Sequence, residues 1–430
     1  MLEYAPEPPP QAAIEDEKDR EDKEGNMPKK MGSKEYIDYV NKYVVQTYEP
    51  LPIVYSRGEG VWIWDPEGKK YMEMLSCYSA IGLGHPVHPE VLRAFVRQAK
   101  KVAISSGAFY NEQLGPFAKE LAEFCQMAKV LPMNSGVEAV ERAVKIARKW
   151  GYVVKGIPRD KAEIIVCENN FHGRTITVIS FSTNPKYKEY FGPLTPGFVI
   201  IPFGNLQALE KAINKNTAAF LVEPIQGEGG VIVPPDGYLK KAREICQKHN
   251  VLFILDEVQT GLGRCGKRFA YEYEDAKPDI LILGKFLGGG LAKVSAVVCS
   301  EKTAGVLAYP EDGSTFSAQP ESLAAARMAL KILVRDKLAE NAFEVGNYFM
   351  KRLRKIRSPL IKEVRGRGLL VAIEFKAEAG GARKFAERLV QEGIACKETH
   401  QHVIRFAPPL IIKKEEIDWA VERIKKVLAQ

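Results

Sequence analysis

A chain of 430 residues with 46% hydrophobic and 27% charged side chains is too long for a single small module and too apolar to stay unfolded throughout, and at about 150 residues per domain it predicts two to three domains. Its 62 basic and 54 acidic residues give a net charge of +8, but the first 26 residues hold nine acidic against three basic groups, so a basic body follows an acidic tail. A basic body suits anionic metabolites as well as nucleic acid or a membrane surface and selects none of them; the seven cysteines, with no CxxC pair, read as reduced core thiols and not as a disulfide framework.

Residues 1–33 combine Pro6, Pro8, Pro9 and Pro10 with the charge run Glu15 to Glu24, a composition that cannot offset the entropy of ordering a chain, and are expected to be a disordered tail. There is no signal-peptide core, and the longest apolar stretch, Ile280 to Cys299, is interrupted by Lys285 and Lys293, so the expected location is cytoplasmic with no membrane span. Folded sequence should begin near Lys34. Val61–Asp65 and Lys70–Met74 flank Pro66-Glu67-Gly68-Lys69 as a β-hairpin, and residues 34–84 are expected to form the N-terminal part of a small domain.

From 85 to 325 a large α/β domain is expected. Glu163–Cys167, Ala218–Val222, Val251–Leu255, Asp279–Leu283 and Ser295–Cys299 are nearly continuous aliphatic runs of the kind that form strands buried on both faces, and helical periodicity between them implies a mainly parallel sheet. Val137, Val140, Val144 and Ala147 share one helical face, with Ser135 and Glu138 placed for a reciprocal capping box. Residues 326–430 read as the α+β remainder of the small domain, with helices at Ser322–Leu338, Asn341–Ile356 and Lys414–Leu428 around strands at Leu369–Phe375 and Val403–Phe406.

Asp256 and Lys285 each end an apolar run, and in an open α/β sheet ligands bind beyond the carboxyl ends of strands. A lysine there, followed by Gly288-Gly289-Gly290, is costly to bury as an ammonium and is explained by a Schiff base or a lowered pKa. A plain salt bridge to Asp256 is the alternative.

Leu255-Asp256-Glu257-Val258-Gln259-Thr260-Gly261, Gly284-Lys285, Gly313-Ser314-Thr315-Phe316 and Glu223-Pro224-Ile225-Gln226-Gly227-Glu228 together resemble the class III aminotransferases, pyridoxal-phosphate enzymes of fold type I. Tyr48-Glu49-Pro50-Leu51-Pro52, Pro132 to Ala139, Asn170 to Thr175, Phe191 to Phe198 and Arg405 to Leu410 look like the ornithine aminotransferase branch. The resemblance covers roughly residues 35–428 and implies a large cofactor-binding domain with a sheet of the seven-stranded type, plus a smaller α+β domain built from both chain ends.

It also implies roles. Lys285 would join the cofactor aldehyde and shuttle the proton, Asp256 would keep the pyridine nitrogen protonated, Gln259 would bond the ring hydroxyl, and Phe171 would stack on the ring, with His172 among the cofactor contacts. Ser135, Gly136 and Val137 would hold the phosphate at a helix start, joined by Thr315 from a second subunit, which makes a homodimer with shared sites. Arg174 would grip the α-carboxylate of L-ornithine and later the distal carboxylate of 2-oxoglutarate. Tyr48 and Tyr78 would contact the ornithine head group. Arg405 would bind the 2-oxoglutarate α-carboxylate and be masked by Glu228 through a bidentate pair when the diamine is bound.

The implied reaction moves the δ-amino group of ornithine to 2-oxoglutarate. Competing readings are another ω-aminotransferase (N-acetylornithine, lysine, putrescine or 4-aminobutyrate), a pyridoxal-phosphate amino-acid racemase, or a catalytically silent protein on this fold. Weaker signals point elsewhere. Gly261 to Gly266 matches GxGxxG, but Lys285 stands where a dinucleotide site wants an acidic residue. His85 with His88, and His400 with His402, read as loop or core histidines with no metal site, and Lys351 to Arg357 as a solvated helix face with no nucleic-acid role. Phe286, Ala292-Lys293, Ser317-Ala318-Gln319-Pro320 and the long Gly84-His85-Pro86-Val87-His88-Pro89 loop depart from the family pattern and bear on the identity of the amino donor.

Overall fold

The computed structural model describes residues 31–429. The expected disordered tail therefore lies, apart from its last three residues, outside the described residues, and Ser33 already opens a helix, Ser33–Tyr43.

The hairpin forms, with strands Trp62–Trp64 and Lys70–Glu73 in register at Ile63 and Tyr71. Asp65 closes its turn, accepting the Lys69 amide at 2.8 Å, while Gly68 takes the left-handed conformation at φ 85°. Arg57–Glu59 adds a third strand, and Ile394–Ala395 pairs parallel with Lys70–Glu73 on the other side. Both ends of the chain thus share one sheet.

The central sheet has seven strands among the described residues, in the order Lys129–Met133, Ser295–Cys299, Ile280–Leu283, Leu252–Asp256, Thr217–Val222, Glu163–Cys167 and Phe198–Ile201. All run parallel except Ser295–Cys299, which is antiparallel to both its neighbours. Two strands were not expected. Lys129–Met133 carries Pro132, which argues against a strand in sequence yet is tolerated at the sheet edge it occupies. Phe198–Ile201, at the opposite edge, is half-buried and too short to stand out.

Helix Gly136–Val153 lays Ala139, Val140, Ala143, Val144, Ala147 and Trp150 on this sheet. Ser135 caps its start, but the reciprocal half of the expected box is absent, because the Glu138 carboxylate turns to Asn134, whose side-chain amide it takes at 2.9 Å. The predicted helix at Ser322–Leu338 is in fact Pro320–Arg335; Lys337, at φ 51°, breaks the chain, and the next helix starts early at Leu338 and runs to Arg354. The first of these helices spans the expected division at residue 325.

Val403–Phe406 and Lys414–Leu428 have the expected bounds. An antiparallel sheet orders Ile361–Arg367, Leu370–Phe375, Val403–Phe406 and Lys397–Glu398. Ile361–Arg367 was missed because it alternates with charges, and these are neutralised across the strand pair: Lys362 and Arg365 both meet Glu374. Six of the seven thiols are buried as expected, but Cys77 is exposed, on a turn taken up below. Among the described residues no helix is long and apolar enough to cross a membrane.

Candidate active site

Asp256 is the last residue of its strand and is 6% exposed. One carboxylate oxygen accepts the Val258 amide at 3.0 Å; the other stands 2.7 Å from His172 Nδ1, the nitrogen that must carry the proton to satisfy it. Burial opposes charge on His172, but the hydrogen bond and the charge of Asp256 outweigh it and raise the imidazole pKa. His172 Nε2 is buried without a partner among the described residues.

Lys285 follows the neighbouring strand and opens a short 3₁₀ turn, Lys285–Gly288, at the left-handed φ of 47°. For a residue with a Cβ that conformation costs about 1–2 kcal/mol, the kind of strain that collects at functional sites. Burial pushes its pKa down to about 8; Glu228, Asp256 and Glu223 pull it back up while Arg405 adds to the depression. Asp256 and Lys285 line one hollow with Gly136, Val137, Phe171, His172 and Gln259, so the two strand ends do converge. Ser135 itself is exposed at the helix start, its carbonyl fixed by the Ser295 hydroxyl at 2.6 Å.

Glu223, in a motif quoted above but given no role there, lines the same hollow. Its two oxygens accept the Phe171 amide at 3.0 Å and the Gly227 amide at 3.3 Å, tying the loop of Phe171 and His172 to the loop of Glu228. Burial raises its pKa to about 7. Its signal was its place after the run Ala218 to Val222, the same signal that marked Asp256.

At the other side of the hollow Arg405 is 1% exposed and donates to Glu228 at 2.6 Å and to the Gln259 carboxamide oxygen at 3.2 Å. The pair joins a single guanidinium nitrogen to a single oxygen, so the expected bidentate geometry is not formed. Gln259 is drawn into this network, its amide 3.4 Å from Glu228. Although burial disfavours its charge, Glu228 has a lowered pKa because Arg405 and Lys285 face it. Arg365 donates to the carbonyls of Gly230 and Val231, and Thr399 to that of Glu228, so the antiparallel sheet holds the Glu228 loop in place.

Tyr78 stands 5.4 Å from the Arg405 guanidinium, measured to the ring centre, and lines a second, mostly apolar hollow with Tyr48, Tyr55, Leu75, Cys396 and Lys397. Ser76, Cys77, Tyr78 and Ser79 all have left-handed φ values, between 47° and 78°. Glu73, buried at the hairpin end, holds the entrance to this turn: one oxygen accepts the Leu75 and Ser76 amides at 2.9 and 2.7 Å and the other the Tyr55 hydroxyl at 2.8 Å.

Four predicted site residues line neither hollow: Ser135 and Arg405, whose contacts are given above, and Arg174 and Thr315. Arg174 is exposed, stacked 3.5 Å from the centre of the Tyr187 ring and 5.5 Å from that of Phe171. Thr315 is also exposed, on a loop braced against helix Gly136–Val153 by Arg142 and Lys145. The glycines of the GxGxxG run serve close packing: a methyl on Gly263 would come within 2.9 Å of Leu333, one on Gly266 within 2.9 Å of the Phe343 backbone, and Arg264 is buried against the Leu369 and Pro408 carbonyls. His88 caps helix Pro89–Ala99, and Arg352 pairs with Asp418 and Glu422 of the C-terminal helix.

The profile of the family described as Aminotransferase class-III matches residues 43–428. A relative named ornithine aminotransferase from Geobacillus sp. (strain WCH70) is 52% identical over 395 residues, 92% of this chain and 98% of that one. The crystal structure of the ornithine aminotransferase from Toxoplasma gondii ME49 superposes with a TM-score of 0.91 at 44% identity, covering 93% of this chain and 96% of that one. An acetylornithine aminotransferase from Elizabethkingia anophelis, also 44% identical, gives 0.83 over 93% and 99% of the two chains.

Proposed function

The chain belongs to the class-III aminotransferases, and from that membership we propose that it is a cytoplasmic enzyme that moves the δ-amino group of L-ornithine to 2-oxoglutarate, giving glutamate 5-semialdehyde and glutamate in two alternating half-reactions. The family works with pyridoxal 5′-phosphate, and the hollow suits that group: it offers a buried lysine of depressed basicity, a buried carboxylate, an imidazole nitrogen still lacking a partner, and the amino end of an 18-residue helix. When bound, the cofactor supplies an aldehyde for amines and a protonated ring that draws electrons away from the substrate carbon.

The remaining work falls to the chain. Lys285, poised between amine and ammonium near pH 8, accepts and returns the proton moved at the substrate carbon. Asp256, its oxygens fixed by the Val258 amide and His172, would hold a proton on the ring nitrogen. The N–H groups at Gly136 and Val137 and the Ser135 hydroxyl meet the phosphate where the helix dipole favours an anion. Phe171 and Val258, which line the hollow, would contact the ring.

The observation that carries the substrate reading is the buried Arg405–Glu228 pair beside Gln259. Closed, it withholds Arg405 from the amino-acid head of a diamine; open, it offers Arg405 to the α-carboxylate of the oxo acid. Arg174 serves the opposite end of each substrate, swinging from its stack on Tyr187, and Tyr48 and Tyr78 receive the ornithine head group. Thr315 completes the phosphate site of a second copy in a homodimer. In support, Asn111 and Gln319 tie the segment of Phe109 and Tyr110 to that of Tyr309 and Phe316, and all four aromatics are exposed.

An amino-donor screen with 2-oxoglutarate as acceptor tests the reading. Ornithine should exceed N-acetylornithine, lysine, putrescine and 4-aminobutyrate in kcat/KM by at least tenfold, with pyrroline carboxylate as product. A higher value for N-acetylornithine would reject it.

A further inference from the structure

Lys397 lies directly opposite Arg405 in the antiparallel pair of Lys397–Glu398 with Val403–Phe406. Residues in that relation project from the same face of the sheet with Cβ atoms about 4.5–5.5 Å apart, and like charges placed so are destabilising. The adjacent residue, Glu398, points to the other face, where Arg383 takes it at 3.2 Å, so it does not neutralise Lys397. Arg405 has Glu228 as counter-ion, whereas Lys397 makes no ion pair among the described residues. Its ammonium sits 6.0 Å from the centre of the Tyr48 ring, in the half-buried wall of the hollow shared with Tyr78.

We infer that Lys397 is a second cation for the carboxylate held at Arg405 and sets the preference of that position for the α-carboxylate of an oxo acid over the head group of a diamino acid. The inference rests on the reading that Arg405 receives that carboxylate. With Glu228 paired to Arg405, the Lys397 charge is left without a counter-ion on this face. An incoming carboxylate that displaces Glu228 from Arg405 still meets an ammonium on the same face, while the zwitterionic head of a diamino acid, with no net charge, gains little from it. Lys397 therefore favours the second half-reaction over the first.

The test uses the intact holoenzyme and follows each half-reaction separately by the cofactor absorption change. Lys397→Met should raise the apparent KM for 2-oxoglutarate five- to tenfold and leave that for ornithine unchanged or lower; Lys397→Arg should restore the acceptor value to within twofold. Lys397→Glu should exceed the Met variant in the same direction, and the wild-type acceptor KM should rise with salt more steeply than that of Lys397→Met. Equal losses in both half-reactions, or an unchanged acceptor KM in Lys397→Met, would overturn the inference. Because glutamate and 2-oxoglutarate interconvert in the acceptor half-reaction alone, that arm still decides the role of Lys397 if ornithine fails as donor, which separates failure of this inference from failure of the donor assignment.

Discussion

Removing the counter-ion of Arg405 should make the site a better receptor for carboxylates, not a worse one. In Glu228→Ala, Arg405 keeps the 3.2 Å contact to Gln259 but loses the 2.6 Å charge-assisted bond, the stronger of the two. Such a bond contributes about 1.5–3 kcal/mol, and in the native enzyme an entering carboxylate must displace it first. With no competitor, that cost disappears from binding, and at 1.4 kcal/mol per decade glutarate should bind the holoenzyme roughly 10- to 100-fold more tightly. A spectral titration of holoenzyme with glutarate measures this directly. The unmasked Arg405 should also capture the α-carboxylate of ornithine and turn part of the reaction from the δ to the α amine, visible as 2-oxo-5-aminopentanoate among the products. Glutarate affinity that is unchanged or weaker, with δ chemistry intact, would refute the argument that Glu228 competes for Arg405.

Pyridoxal-phosphate capture by apoenzyme should rise with pH about a midpoint near 8, because burial leaves Lys285 an amine at that pH; a midpoint above about 10, where an exposed lysine titrates, would contradict it. The same depression means that the unfolded chain holds a proton the folded one has released as pH climbs from 8 toward the ordinary lysine value, so the Lys285 contribution to apoenzyme stability grows over that window; denaturation midpoints of wild type against Lys285→Met should show this growth in their difference. His172→Phe leaves one oxygen of buried Asp256 without a donor, a loss of about 1–3 kcal/mol, and should weaken cofactor binding roughly tenfold or more by fluorescence titration, with His172→Gln partly restoring it. In Gly227→Ala the new methyl runs into the Gln259 carboxamide oxygen, the movable end of a flexible side chain, so the protein should fold with a normal circular dichroism spectrum and lose acceptor turnover as Gln259 leaves Arg405.

Buried strands were legible because their residues are apolar on both faces: Glu163–Cys167 and Ser295–Cys299 keep the bounds read from sequence, and Asp256 and Lys285 stand together as their positions at strand ends required. What escaped was decided by contacts distant in sequence. Glu223 takes its place in the hollow by holding the Phe171 amide 52 residues away, and Ile361–Arg367 reads as surface until Glu374 arrives to neutralise it. Ser295–Cys299 runs antiparallel to both its neighbours, a direction its composition does not record. Arg174 and Thr315 are given site roles by the family resemblance alone; in the fold Arg174 is stacked on Tyr187 and Thr315 is exposed.

The turn Ser76–Ser79 holds four residues in a backbone region that glycine enters without strain, at about 1–2 kcal/mol each for residues with a Cβ. Glycines there would relieve several kcal/mol, yet each would also return the freedom that Glu73 restrains at the Leu75 and Ser76 amides. The chain has kept the strained alternative beside the ring that faces Arg405. On the proposal that Tyr78 receives the ornithine head group, thermostability and substrate discrimination are opposed at this one turn, and a search for stabilising substitutions would be drawn toward it first and would loosen the site as it succeeded.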